Sequence, residues 1–165
     1  MSTSRVRSAL GSGLFFAVAP GIVAGLIPWW LTGWETGATW LPLQVLGALL
    51  LVAGAIVLVE AFVRFVVEGI GTPAPVAPTR HLVVGGLYRY VRNPMYLAVG
   101  ASIVGQALLL GRSILLLYAA AFAVIVVAFV RGYEEPTLAR QFGADYEDYR
   151  RAVPGWWPRL RPWRG

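Results

Sequence analysis

MYLAVGASIVGQALLLGRSILLLYAAAFAVIVVAFVRGYEE, residues 95–135, decides the fold. Two apolar runs, 95–110 and 114–130, flank a turn whose only charge is Arg112. Runs this long and this poor in charge suit a helical hairpin in a bilayer core of about 30 Å better than a soluble domain. A polar, aromatic cluster stands at each end of the hairpin. Before it, GLYRYVRNPMY runs from Gly86 to Tyr96; after it, EEPTLARQFGADYEDY runs from Glu134 to Tyr149. A helix that merely spans has no need of such polarity at its edge. Two clusters that the hairpin returns to one water interface therefore point to a site.

Working outward, residues 10–31 and 41–67 form two further apolar segments. The expected architecture is all-α: a polytopic membrane protein with about four transmembrane helices and a C-terminal amphipathic helix. Its N-terminal helix pair takes residues 1–68. The cytoplasmic loop, hairpin and tail helix take 69–165. Ala17-Val18-Ala19 after Arg5 and Arg7 imitates a cleavage site, but the apolar run continues to Trp29-Trp30, which favours an uncleaved helix. Gly21 and Gly25 offer a small face for a neighbouring helix. The second segment, roughly 40 Å long if helical, outreaches the bilayer core, so Glu60, Arg64 and Glu68 fall at its emerging end. At i, i+4 spacing they read as a helix-end ladder or as one wall of a pocket. Prolines in the connection that follows favour a stiff path along the surface.

Hydrophobic residues reach 58% and charged ones only 13%, which sets the chain apart from ordinary globular composition. The absence of cysteine excludes disulfides, thiolate metal sites and a cysteine nucleophile, and His81 as the sole imidazole argues against any metal centre. A Ser–His–Asp hydrolase and a glycine-rich nucleotide loop are likewise missing. The net charge of +6 sits at segment ends and in the tail, so it reads as membrane topology and not as a nucleic-acid surface. Arg5, Arg7, Arg80, Arg89, Arg92 and the tail arginines put both termini and the central loop in the cytoplasm. All basic residues are Arg, as a GC-rich genome would encode, and a bacterial plasma membrane is the expected location.

Asn93-Pro94 is a helix start, with Asn as N-cap and Pro at the first helical position. A free helix N-terminus beside Arg89 and Arg92, with Tyr88, Tyr90 and Tyr96 nearby, also suits a ligand with an anionic group and an aromatic ring. Glu134-Glu135 before Pro136 reads as the acidic first turn of a new helix, or as a receptor for an ammonium or a ribose hydroxyl. Leu138, Phe142, Tyr146, Tyr149 and Val153 then recur at helical spacing, on a helix lying against the bundle or the interface. Trp156, Trp157 and Trp163 with the tail arginines read as interfacial anchors.

Gly86-Leu87-Tyr88, Arg92-Asn93-Pro94-Met95-Tyr96, Glu134-Glu135 and Phe142-Gly143 with Tyr146 and Tyr149 resemble, in order and spacing, the isoprenylcysteine carboxyl methyltransferase family and its phospholipid methyltransferase relatives. The resemblance covers roughly residues 69–158. It implies an integral membrane enzyme that uses S-adenosylmethionine and methylates a lipophilic or small acceptor, with membrane lipids as its surroundings. Carried over by position, Arg80, His81, Leu82, Val83, Tyr88, Tyr90, Asn93, Glu134 and Glu135 would contact the cofactor. Arg92 and Glu134 would be catalytic, and Arg131 would reach the substrate. Two positions depart from the family pattern. Asn93 stands where a histidine is usual, and Val130 stands where the carboxyl methyltransferases place an arginine, with Arg131 one step away. A membrane adaptor and a nicotinamide-dependent reductase of the sterol type are the alternative readings.

Overall fold

The computed structural model describes residues 18–69 and 81–165. Arg5, Arg7, Arg80, the beginning of the first apolar segment and the proline-rich connection 70–80 lie outside the described residues. The described chain is helical and contains no strand. Helix α1 runs Val18–Thr32, α2 Leu41–Gly69, α3 Pro94–Leu110, α4 Ile114–Phe142 and α5 Ala144–Ala152. Among the described residues, two stretches are long and apolar enough to cross a membrane, Leu41–Arg64 and Ile114–Phe142; α1 and α3 are shorter apolar helices.

Leu49, Val52, Ile56 and Val59 each stay at least 60% exposed along one side of α2. A water-soluble protein does not leave so continuous an apolar stripe in solvent, whereas a helix in hydrocarbon does. With no hydrophobic drive between helices in lipid, close packing must come from small residues. That is how α2 meets α3. A Cβ on Gly47 would lie 2.5 Å from Gly105 O and 2.6 Å from Leu109 N, and one on Gly54 would lie 2.9 Å from Ala98 O. Gly21 and Gly25, expected to serve such a contact, have nothing within 4 Å among the described residues, so α1 does not turn that face to any described helix. Gly47→Val should therefore wedge α2 from α3. Overpacking of about 1–3 kcal/mol predicts a fall of roughly 3–10 °C in the Tm of detergent-solubilised protein, read by thermal unfolding.

Polar side chains fasten α1 to the hairpin. Residues Ile22–Leu26 adopt a π turn, whose loosened backbone offers carbonyls to neighbours. Tyr118 Oη donates to Val23 O at 2.7 Å and Gln106 Nε2 donates to Ala24 O at 2.6 Å. Trp34 Nε1 in turn donates to Gln106 Oε1, so the buried amide is satisfied on both sides. The α1–α2 connection meets the hairpin turn through Gly37 N to Leu110 O and an exposed Arg112–Glu35 pair. The loop 81–93, the polar end of α4, α5 and the tail all gather at the opposite end.

Candidate functional site

The loop entering α3 is shaped from α2. Arg64 bridges Glu60 and Glu68 at 3.3 and 3.2 Å, and Glu68 Oε2 accepts the Gly85 N–H at 2.8 Å. Gly86 follows with φ +54, so close to Glu60 and Arg64 that a Cβ would collide with both. The ladder is thus a helix end that also grips the glycine turn. From that turn Gly86–Arg89 makes one 3₁₀ turn that sends Tyr88 inward, where it packs with Val83 on Ala61 of α2.

On the other side, helix α4 does not stop where its apolar run ends at Val130. It continues through a π turn, Val130–Glu134, in which the Glu135 N–H reaches Val130 O. The i→i+5 register sets Glu135 where an α-helix would set Glu134, so two consecutive carboxylates turn toward α3. The acidic pair therefore sits inside a continuous helix and does not open a new one.

Each carboxylate takes a partner from the opposite signature. Tyr96 Oη donates to Glu134 Oε2 at 2.9 Å, and Arg92 Nη1 donates to Glu135 Oε1 at 2.6 Å. Arg92 also donates to Tyr146 Oη at 3.1 Å and, through Nε, to Val153 O at 2.9 Å. The ion pair is largely shielded, its side chains 15% and 18% exposed, which makes it a strong charge-assisted bond. Asn93 stands at the N-cap position of α3 but does not cap it; its Nδ2 donates to Gly155 O at 3.0 Å. Its amide is spent on the tail.

Gly143, at φ +54 and ψ −125, breaks the amphipathic stretch in two. Tyr146, Tyr149 and Val153 of the second piece are buried against Leu82, Val84, Leu138 and Phe142, so this apolar face meets protein and not lipid. Tyr149 Oη donates to Tyr88 O at 2.7 Å. Burial pushes the Tyr149 phenol well above its ordinary range, and it does the same to Tyr88, with the neighbouring Tyr149 and Glu134 adding to the rise. Both phenols stay protonated through any physiological pH.

Between these walls lies a cleft open to solvent. Leu82, Val83, Val130 and Leu138 supply its apolar side, Tyr88, Tyr146 and Tyr149 its aromatic one, and Arg92, Asn93, Glu134 and Glu135 its polar one. Glu134 Oε1 and Arg92 Nη2 have no protein partner among the described residues. Counted formally, two carboxylates against one guanidinium give the cleft a balance of about −1, which favours a cationic guest.

A model of the phospholipid methyltransferase family matches residues 43–145. The chain belongs to this family. No curated protein and no solved structure matches it. The family match opens within α2 and covers the loop, the hairpin and both carboxylates. It ends before Tyr146, so the aromatic cap and the tail fall outside it.

In this phospholipid methyltransferase family member the residues named from sequence divide. Leu82, Val83, Tyr88, Arg92, Asn93, Glu134 and Glu135 line one cleft. Tyr90 faces away, into a separate apolar cavity between α2 and α3. His81 and Arg131 are exposed, neither lines the cleft, and Arg80 lies outside the described residues. The structure adds Val130, Leu138, Tyr146 and Tyr149 to the lining, and Tyr96 as the partner of Glu134. Tyr96 lay within the quoted signature; its pairing with a carboxylate thirty-eight positions later has no local signal.

Proposed function

We propose that the chain is an S-adenosylmethionine-dependent methyltransferase of the membrane interface, acting on a lipophilic or small acceptor. The observation that carries this reading is the meeting of the two signatures. Glu134 with Tyr96 and Glu135 with Arg92 form one cleft at the hairpin's end in a member of a methyltransferase family. The donor set suits the cofactor. A sulfonium with an amino and a carboxylate group has a net positive charge, which the cleft's balance favours. Glu134 Oε1 is available for an amino or hydroxyl group, Arg92 Nη2 for a carboxylate, and the tyrosine walls for a flat ring.

When bound, the cofactor supplies an electrophilic methyl group. The protein's share is positioning and exclusion of water. Glu134, held by Tyr96, fixes one end of the guest. Arg92 and Asn93, held by the tail, fix the loop facing it. Leu82, Val83, Val130 and Leu138 keep water from the reacting atoms. No imidazole borders the cleft, since His81 is exposed. The acceptor belongs to the lipophilic class that includes phospholipid amines and isoprenylcysteine-type carboxylates.

In this reading α1 and α3 also cross the bilayer, giving four spans with both termini cytoplasmic. Residues 1–68 serve as scaffold and 69–165 carry the chemistry. The clustering of Arg89, Arg92 and the tail arginines at one end supports that orientation, because Arg112 at the other is paired with Glu35. The test has two arms. Calorimetry on purified protein should show saturable S-adenosylmethionine binding, and its absence would sink the proposal. Tritiated-methyl transfer into host membranes should label a lipid-soluble species, which identifies the acceptor.

A further inference from the structure

The tail is stitched along the loop by its own backbone. Arg92 N donates to Pro154 O, Arg159 N to Tyr90 O and Trp163 N to Arg89 O, each at 3.0 Å. Arg89 Nε donates to Trp163 O at 2.7 Å, and the Trp163 ring packs on Tyr149 with centroids 5.4 Å apart. Trp163 is therefore a structural residue and not the interfacial anchor its type suggested. What the stitching leaves outside differs in character. Trp157 is 81% exposed and Leu160 98%. After Tyr149 the chain carries Arg150, Arg151, Arg159, Arg161 and Arg164 with no Asp or Glu among them. Arg150 pairs with Glu147 and Arg159 donates to Ala152 O, whereas Arg151, Arg161 and Arg164 have no acidic partner among the described residues.

The position of this face points to its partner. Pro158, between Trp157 and Leu160, lines the apolar cavity formed by Ala53, Gly54 and Val57 of α2 with Leu97 and Ala98 of α3. The tail thus crosses the mouth of a groove between two apolar helices, at the level where a spanning bundle meets headgroups. Bare tryptophan and leucine at that level, flanked by uncompensated arginines, match a leaflet with negative headgroups in both hydrophobicity and charge.

We propose that residues 151–164 form a second membrane contact, in which Trp157 and Leu160 enter the cytoplasmic leaflet while Arg151, Arg161 and Arg164 hold anionic lipid headgroups. The inference rests on the chain being membrane-embedded and on nothing about the reaction. Because the same segment supplies the carbonyls that fix Arg92 and Asn93, anionic lipid steadies the cleft as well.

The lack of native cysteine makes Leu160→Cys a unique labelling site at a position with no packing to lose. The labelled protein, carrying an environment-sensitive fluorophore, is reconstituted into phosphatidylcholine vesicles with or without phosphatidylglycerol. Anionic lipid should blue-shift the emission and raise it about twofold, and high salt should reverse the change. Arg151→Gln, Arg161→Gln and Arg164→Gln together should abolish the response. Equal emission in both lipids, or an unchanged response in the triple variant, would overturn the proposal. So would the same shift produced by inorganic phosphate over phosphatidylcholine alone. S-Adenosylmethionine binding is measured in the same vesicles. Its absence in every lipid would defeat the methyltransferase reading and leave the fluorescence result to decide this one.

Discussion

Glu134→Gln is expected to weaken S-adenosylmethionine binding by roughly 10- to 100-fold while leaving the fold intact. Glutamine has the same shape, and its amide oxygen can still accept from Tyr96 Oη, so the link between α3 and α4 survives. What disappears is a charge. The cleft's balance rises from about −1 to about zero, and the oxygen left for a ligand becomes a neutral acceptor or a misdirected donor. A hydrogen bond to a charged group contributes about 1.5–3 kcal/mol, which sets the expected range. Calorimetry gives the affinity, and thermal unfolding checks that the Tm moves by no more than about 2 °C, as befits a loss of well under 1 kcal/mol. Unchanged affinity would remove Glu134 from the cofactor site. A large fall in Tm would make it a structural residue instead.

The hairpin was legible because hydrophobic length is a one-dimensional property. Residues 95–130 announce two apolar helices and one turn in any context, and the polar signatures mark their ends. The π turn at Val130–Glu134 was not legible, since an i→i+5 register leaves no mark in composition. For that reason the carboxylates read as the start of a new helix. The tail misled for a related reason. Trp163 has the side chain of a membrane anchor, yet its main contribution is a backbone N–H and a carbonyl, and the sequence does not say where a main-chain group will point. Asn93 was placed correctly at the head of α3, but its amide prefers Gly155 O to its own helix. Tyr90 and Arg131 lay at motif-adjacent positions whose side chains turn out of the cleft, because the 3₁₀ and π turns beside them set directions that spacing alone does not encode.

Arg92→Ala is expected to cost the protein about 3 kcal/mol, and the reason separates two roles for the residue. Its guanidinium serves Glu135, Tyr146 Oη and Val153 O together, joining α3's entry, α4, α5 and the tail. Removing it leaves the Glu135 carboxylate, 18% exposed, without a counter-charge. For a chain of this size the loss corresponds to a fall of roughly 6–12 °C in Tm. If the stranded charge is the main cause, Glu135→Gln introduced into the Arg92→Ala protein should recover part of the loss, although each substitution alone destabilises. If the bonds to Val153 O and Tyr146 Oη dominate, the second change will add to the damage. Arg92→Lys tests the remaining element. An ammonium can reach Glu135 but cannot fork to Val153 O, so stability should return in part while the tail's hold on the loop does not. Amide hydrogen exchange reads that hold directly: protection at Arg92, whose N–H donates to Pro154 O, should fall in Arg92→Lys even where Tm is largely restored. A variant that is stable yet slow in methyl transfer would then assign Arg92 to positioning, with the tail as its instrument.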